Sequence, residues 1–96
     1  MNSSANSRVT VVNSLGLHAR AAARFVKLAA RFRSQIQVGR GERQVDGKSI
    51  LGLLLLAAAC GTVIEISASG VDADAALAAL CGLVNRGFED AEDSDA

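Results

Sequence analysis

The sequence predicts an α+β domain, β-α-β-β-α-β-α, with its helices on one face of a mostly antiparallel sheet. Three observations predict it. Short Val- and Ile-rich runs alternate with helical patterns. The helices are too few to cover both faces of a parallel sheet. The stretch around Gly39 and Gly41 reads as a hairpin, which joins antiparallel neighbours.

Each element has its own signal. RVTVVN, Arg8 to Asn13, is a Val-rich strand that Asn13, Ser14 and Gly16 break. From His18 the period becomes helical: Ala22, Val26, Ala29 and Phe32 share a face, with Ala19, Ala23 and Phe25 beside it. Arg20, Arg24, Lys27 and Arg31 form a basic stripe on the opposite face. QIQVG, Gln35 to Gly39, is a strand, and Glu42 to Asp46 is its return after the hairpin. Ser49 caps a short leucine-rich helix beginning at Ile50, which Gly61 is expected to end. Thr62 to Ala68 is a strand with Ile64 and Ile66 on one side and Glu65 and Ser67 on the other. Asp72 is the expected N-cap of a last helix, Asp74 suits its positive start, and Leu77, Leu80, Val84 and Phe88 trace its inner face.

A chain of 96 residues suits one domain. Half of it is hydrophobic but only three residues are aromatic, so the core must be aliphatic. Residues 8–88 form the expected domain. The polar opening, residues 1–7, and the acidic segment 89–96, EDAEDSDA, are expected to be loose. Formal net charge is zero, yet 89–96 hold five of the ten acidic groups; the rest has ten basic and five acidic side chains, a net of +5. A basic body favours an acidic or anionic partner. The longest apolar run, Ile50 to Cys60, has 11 residues and is too short to cross a bilayer; with no leader pattern at the start, the expected location is the cytoplasm. Cys60 and Cys81 have neither metal nor redox spacing and are expected to be small buried residues; no metal site or cofactor is expected.

The one histidine, His18, lies between a glycine turn and a helix start. Imidazole is a nucleophile near neutral pH, and unpaired N–H groups at a helix start stabilise an anion. A phosphoryl group on His18 would sit there, with Arg20 in reach of its oxygens. Gly16 lets the chain turn and Leu17 anchors the loop. Spacing alone leaves a plain capping histidine equally open.

GLHAR, Gly16 to Arg20, directly after a Val-rich strand, resembles the active-site signature of HPr, the histidine phosphocarrier of the bacterial sugar phosphotransferase system. VDGKSILG, Val45 to Gly52, resembles that family's regulatory-serine segment. The resemblance runs from about Val9 to Phe88. It implies an open-faced β-sandwich, a four-stranded antiparallel sheet covered by three helices. It implies that His18 takes a phosphoryl group on Nδ1 from phospho-Enzyme I, charged by phosphoenolpyruvate, and passes it to a IIA domain. Arg20 would support the phosphate, with Gly16 and Ala19 supporting the histidine loop. Ser49 would be modified by HPr kinase/phosphorylase where the cell has one. Many members carry proline after the arginine; here it is Ala21, which helix propensity favours. ALAALCGLVNRGFED resembles the nitrogen-related branch, whereas the KSI segment leans to the kinase-regulated one, and both branches stay open.

Partner docking is expected through Arg24, Lys27 and Lys48 and through those leucines that the core leaves outside. If Leu53 and Leu56 pack inward, Leu51, Leu54 and Leu55 face out. The basic stripe lacks the stacking aromatics and base-reading Asn or Gln of a nucleic-acid module, so no nucleic acid is expected. A regulatory HPr-like protein acting only through Ser49 is a further reading, although relatives of that kind usually lack the histidine. A shuttle of this sort works most simply as a monomer.

Overall fold

The structure, a computed structural model, describes residues 3–89. Its elements are β1 (Ser3–Thr10), α1 (Ala19–Ala29), β2 (Gln35–Arg40), β3 (Arg43–Asp46), α2 (Ile50–Leu56), β4 (Val63–Gly70) and α3 (Ala73–Asn85). They form a four-stranded sheet in the order β1-β4-β2-β3, antiparallel at every pairing, with three helices. This is the expected open-faced sandwich.

The register sets one greasy face. Val9 lies opposite Ile64, Val38 opposite Ile66, and Ile36 opposite Ala68, and all six are buried. Because strand side chains alternate, Glu65 and Ser67 fall on the other face. On the inner face sit Phe25 from α1, Leu53 and Leu56 from α2, and Leu80, Leu83 and Val84 from α3. Each such large side chain contributes about 1.5–3 kcal/mol by leaving water.

Four expectations are corrected. The opening residues were expected to be loose to Ser7, but β1 begins at Ser3 and pairs with Gly70. Backbone pairing with β4 orders polar side chains that have no pattern of their own. The acidic segment expected to be loose lies, after Glu89, outside the described residues. The buried line of α1 is Ala21, Phe25 and Ala29, with Ala22 beside it; Val26 and Phe32 are only partly buried, and Ala19 and Ala23 are exposed. The core lies about half a residue step around the helix from the expected face. Helix α2 stops at Leu56, well before Gly61. Ala57 turns into the left-handed region, φ 54°, and the next carbonyls are taken by other elements, as described below. Finally, Cys60 is exposed, not buried, with its Sγ 3.7 Å from the Val12 carbonyl. Cys81 is partly buried, and that burial pushes its thiol pKa up against a hydrogen bond from Ser7.

Asp72 stands at the N-cap of α3, yet its carboxylate does not cap that helix. It accepts from the Ser34 hydroxyl at 2.6 Å and from the Arg33 and Ser34 N–H groups at 2.9 Å each. These bonds, the Ser34 hydroxyl first, hold its pKa down at about 2. They fasten the loop after α1 to the start of α3.

Helix α3 ends in a Schellman motif. The Gly87 N–H donates to Val84 at 2.9 Å and the Phe88 N–H to Leu83 at 2.8 Å. Phe88 is thereby seated in the core.

Candidate functional site

Two loops make the floor of the site. Residues 11–17 leave β1, and residues 57–62 leave α2. The Val11 N–H donates to Thr62 O at 2.9 Å, the Gly61 N–H to Val11 O at 2.7 Å, and the Leu17 N–H to Ala58 O at 2.9 Å. Asn13 braces the turn: its Nδ2 donates to Gly16 O at 2.7 Å, and its own carbonyl accepts from the Gly16 N–H at 3.0 Å. The sequence reading treated Asn13 only as a strand breaker. Asparagine just before a glycine turn was the available signal, since its amide can bond the backbone nearby.

Gly16 is required here. Its φ is +65°, and a Cβ would lie 2.6 Å from Ala58 O and 2.9 Å from Ala59 Cα. Only glycine allows the two loops to meet this closely.

The loop delivers His18 to the N-cap of α1 in extended conformation, φ −82° and ψ −178°. The His18 carbonyl accepts from the Ala22 N–H at 2.8 Å, which closes the first helical turn. Its ring is half-buried, makes no capping bond, and has no hydrogen-bond partner among the described residues. The N–H groups of Ala19, Arg20 and Ala21 have no carbonyl to reach within the helix, and the helix dipole adds partial positive charge. Arg20 is exposed and, among the described residues, makes no hydrogen bond or ion pair. An anion on the imidazole would therefore meet unpaired donors and an uncommitted guanidinium. Ala21, where proline is common in the resembled family, is fully buried, so a small side chain suits the packing.

Ser49 caps α2 as expected: its Oγ accepts from the Gly52 N–H at 3.0 Å. Leu53 and Leu56 pack inward, while Leu51, Leu54 and Leu55 are 66%, 37% and 60% exposed and Ile50 joins them. Leu15, 75% exposed, extends the apolar surface from the histidine loop itself. The far end of α2 is tied by two arginines that the sequence reading did not single out. Arg40 donates to Leu56 O and Ala57 O, and Arg43 to Leu55 O, each at 2.8 Å. They complement the negative end of the helix.

The expected docking cations differ among themselves. Lys27 is exposed on the stripe. Lys48 Nζ instead donates to Phe32 O at 2.7 Å, so its charge is held against the loop after α1. Arg24 is half-buried and donates to Phe88 O at 3.0 Å. Among the described residues no cluster could hold a metal ion, and no helix is long and apolar enough to cross a membrane.

An open-faced sandwich showing one imidazole at a helix start, ringed by apolar side chains, suits a carrier domain that meets its partners surface to surface. The comparisons agree. A family model described as the PTS HPr component phosphorylation site matches residues 5–86. The phosphocarrier protein HPr of Pseudomonas aeruginosa is 48% identical over 85 residues, covering 88% of this chain and 94% of that protein. The phosphocarrier protein NPr of Shewanella violacea is 45% identical over 84 residues, covering 88% and 92%. The crystal structure of an HPr from Thermoanaerobacter tengcongensis superposes with a TM-score of 0.85 at 39% identity, covering 90% of this chain and 98% of that one. The chain belongs to the HPr family of phosphocarrier proteins. Membership implies partners of the phosphotransferase system such as Enzyme I and IIA domains.

Proposed function

We propose that His18 carries a phosphoryl group from phospho-Enzyme I to a IIA domain. The observation that supports this most is the half-buried imidazole, free of hydrogen bonds among the described residues, at the N-cap of α1 in a chain of this family. Nδ1 attacks the phosphorus, and the bond from phosphorus to Enzyme I breaks as the new N–P bond forms. The unpaired N–H groups at the start of α1 and the Arg20 guanidinium accept the added negative charge. Transfer onward reverses these steps on the IIA domain. The chain is a carrier with a covalent phosphohistidine and needs no cofactor.

Ser49 is the regulatory position in this reading. A kinase of the HPr kinase/phosphorylase type would place a phosphate at the start of α2, beside the exposed leucines. The added charge would weaken docking of Enzyme I on an apolar surface.

The test is intact-mass phosphotransfer with Enzyme I, Mg²⁺ and phosphoenolpyruvate. The expected result is one acid-labile phosphate on the wild-type chain and none on His18→Ala. No phosphate on the wild type, with an Enzyme I active on another HPr, overturns the proposal.

A further inference from the structure

We propose that the acidic segment 89–96 folds back over the basic face of α1 and competes there with acidic partners. Its consequence for phosphotransfer rests on the carrier reading; the contact itself does not.

The argument begins with where that segment leaves the fold. The Schellman motif buries Phe88, and Arg24 Nη1 holds the Phe88 carbonyl at 3.0 Å. Arg24 lies in the middle of the basic stripe. The chain therefore departs at Glu89 beside the cations of α1. Arg20, Lys27 and Arg31 are exposed and, among the described residues, make no hydrogen bond or ion pair.

Reach is sufficient. The seven residues 90–96 span at most about 24 Å when extended. Helix α1 has 11 residues and is about 16 Å long. Arg20 and Lys27 lie to either side of Arg24, each within about 6 Å along the axis. Charge is complementary. Glu89, Asp90, Glu92, Asp93 and Asp95 bring five carboxylates, against four cations at Arg20, Arg24, Lys27 and Arg31. Each exposed pair alone is weak. A tether, however, makes the segment an intramolecular ligand at high effective concentration. An acidic partner seeking the same face must displace it, most slowly at low salt.

The chain has two lysines, Lys27 on the stripe and Lys48 held to Phe32 O, which makes a discriminating test. A carbodiimide joins a carboxylate to a nearby amine as an amide. Applied to the full chain at about 0.01 M salt, it is expected to give a monomer in which tryptic peptide 25–31 is joined to peptide 87–96. The product should vanish at about 1 M salt, where charges are screened within about 3 Å. No such link, an equal link to Lys48, or a link found only in dimers overturns the contact; the last points to a second copy.

The functional arm neutralises the segment in the full chain: Glu89→Gln, Asp90→Asn, Glu92→Gln, Asp93→Asn and Asp95→Asn together. At limiting Enzyme I and low salt this variant should accept phosphate on the order of tenfold faster, and the rates should converge at high salt. Equal rates at low salt overturn the competition. If the link forms but neither protein takes phosphate, the carrier reading fails, and the competition with it, while the contact stands.

Discussion

Gly16→Ala is the substitution through which the fold acts most directly on His18. An alanine at φ +65° costs about 1–2 kcal/mol in the left-handed region. The stiffer unfolded chain returns about 0.4–1 kcal/mol. The new methyl would lie 2.6 Å from Ala58 O, so that carbonyl must move, and it is the acceptor for the Leu17 N–H at 2.9 Å. Losing that bond costs a further ~0.5–1.5 kcal/mol. The net is about 1–3 kcal/mol, or roughly 5–20 °C in melting temperature for a domain of this size. Gly41→Ala is the internal control: its φ is +61°, but nothing lies within 4 Å of the added Cβ. Thermal unfolding followed by circular dichroism compares the two. Phosphate uptake by Gly16→Ala, measured at a temperature where it is folded, should also fall, because His18 rides on the displaced loop. A Gly16→Ala protein no less stable than Gly41→Ala would refute the close approach of the two loops.

Two further outcomes are expected. Ser49→Ala removes the acceptor of the Gly52 N–H and should cost about 1 kcal/mol, about 4–8 °C in melting temperature, whereas Ser49→Asp keeps a capping oxygen and should melt near the wild type; equal melting of all three proteins would remove the cap from the account. Asp72 has its pKa lowered from 3.8 to about 2, so its contribution is present above about pH 4 and is lost as pH falls through about 2. Urea midpoints measured down this range should drop for the wild type and less steeply for Asp72→Asn; parallel slopes would contradict the assignment.

What was legible in the sequence was what local patterns control. The alternation of Ile64 and Ile66 with Glu65 and Ser67 set the face of β4, and Ser49 before a leucine run announced its own cap. The GLHAR stretch located both the helix start and the histidine. The misses share a cause, in that the deciding partner is remote in sequence. Nothing in LLLLAAAC says that the helix stops at Leu56. The stop depends on Arg40 and Arg43 taking the last carbonyls and on Leu17 taking Ala58 O. Nothing in SSANS announces a strand, because only β4 supplies its pairing. Asp72 has the profile of a cap yet serves Ser34 and Arg33, some 38 and 39 residues away. Lys48 and Arg24 looked like free docking charges until the Phe32 and Phe88 carbonyls were placed beside them.

Helix α2 then requires an explanation that the core does not supply. Six of its seven residues are apolar, and the core uses only Leu53 and Leu56. Ile50, Leu51, Leu54 and Leu55 lie at the surface, where a contiguous apolar patch ordinarily marks a contact site. The backbone shows why the patch belongs with the histidine. The segment that ends α2 is bonded to the segment that carries His18 at Leu17–Ala58, Val11–Thr62 and Gly61–Val11. The apolar surface and the imidazole are thus mounted on one braced piece of backbone. Under the proposed function, a partner that seats on α2 finds His18 already in place and spends little of its binding energy on ordering the site. That suits a carrier, which must align one nitrogen with a phosphorus in each encounter and then let go.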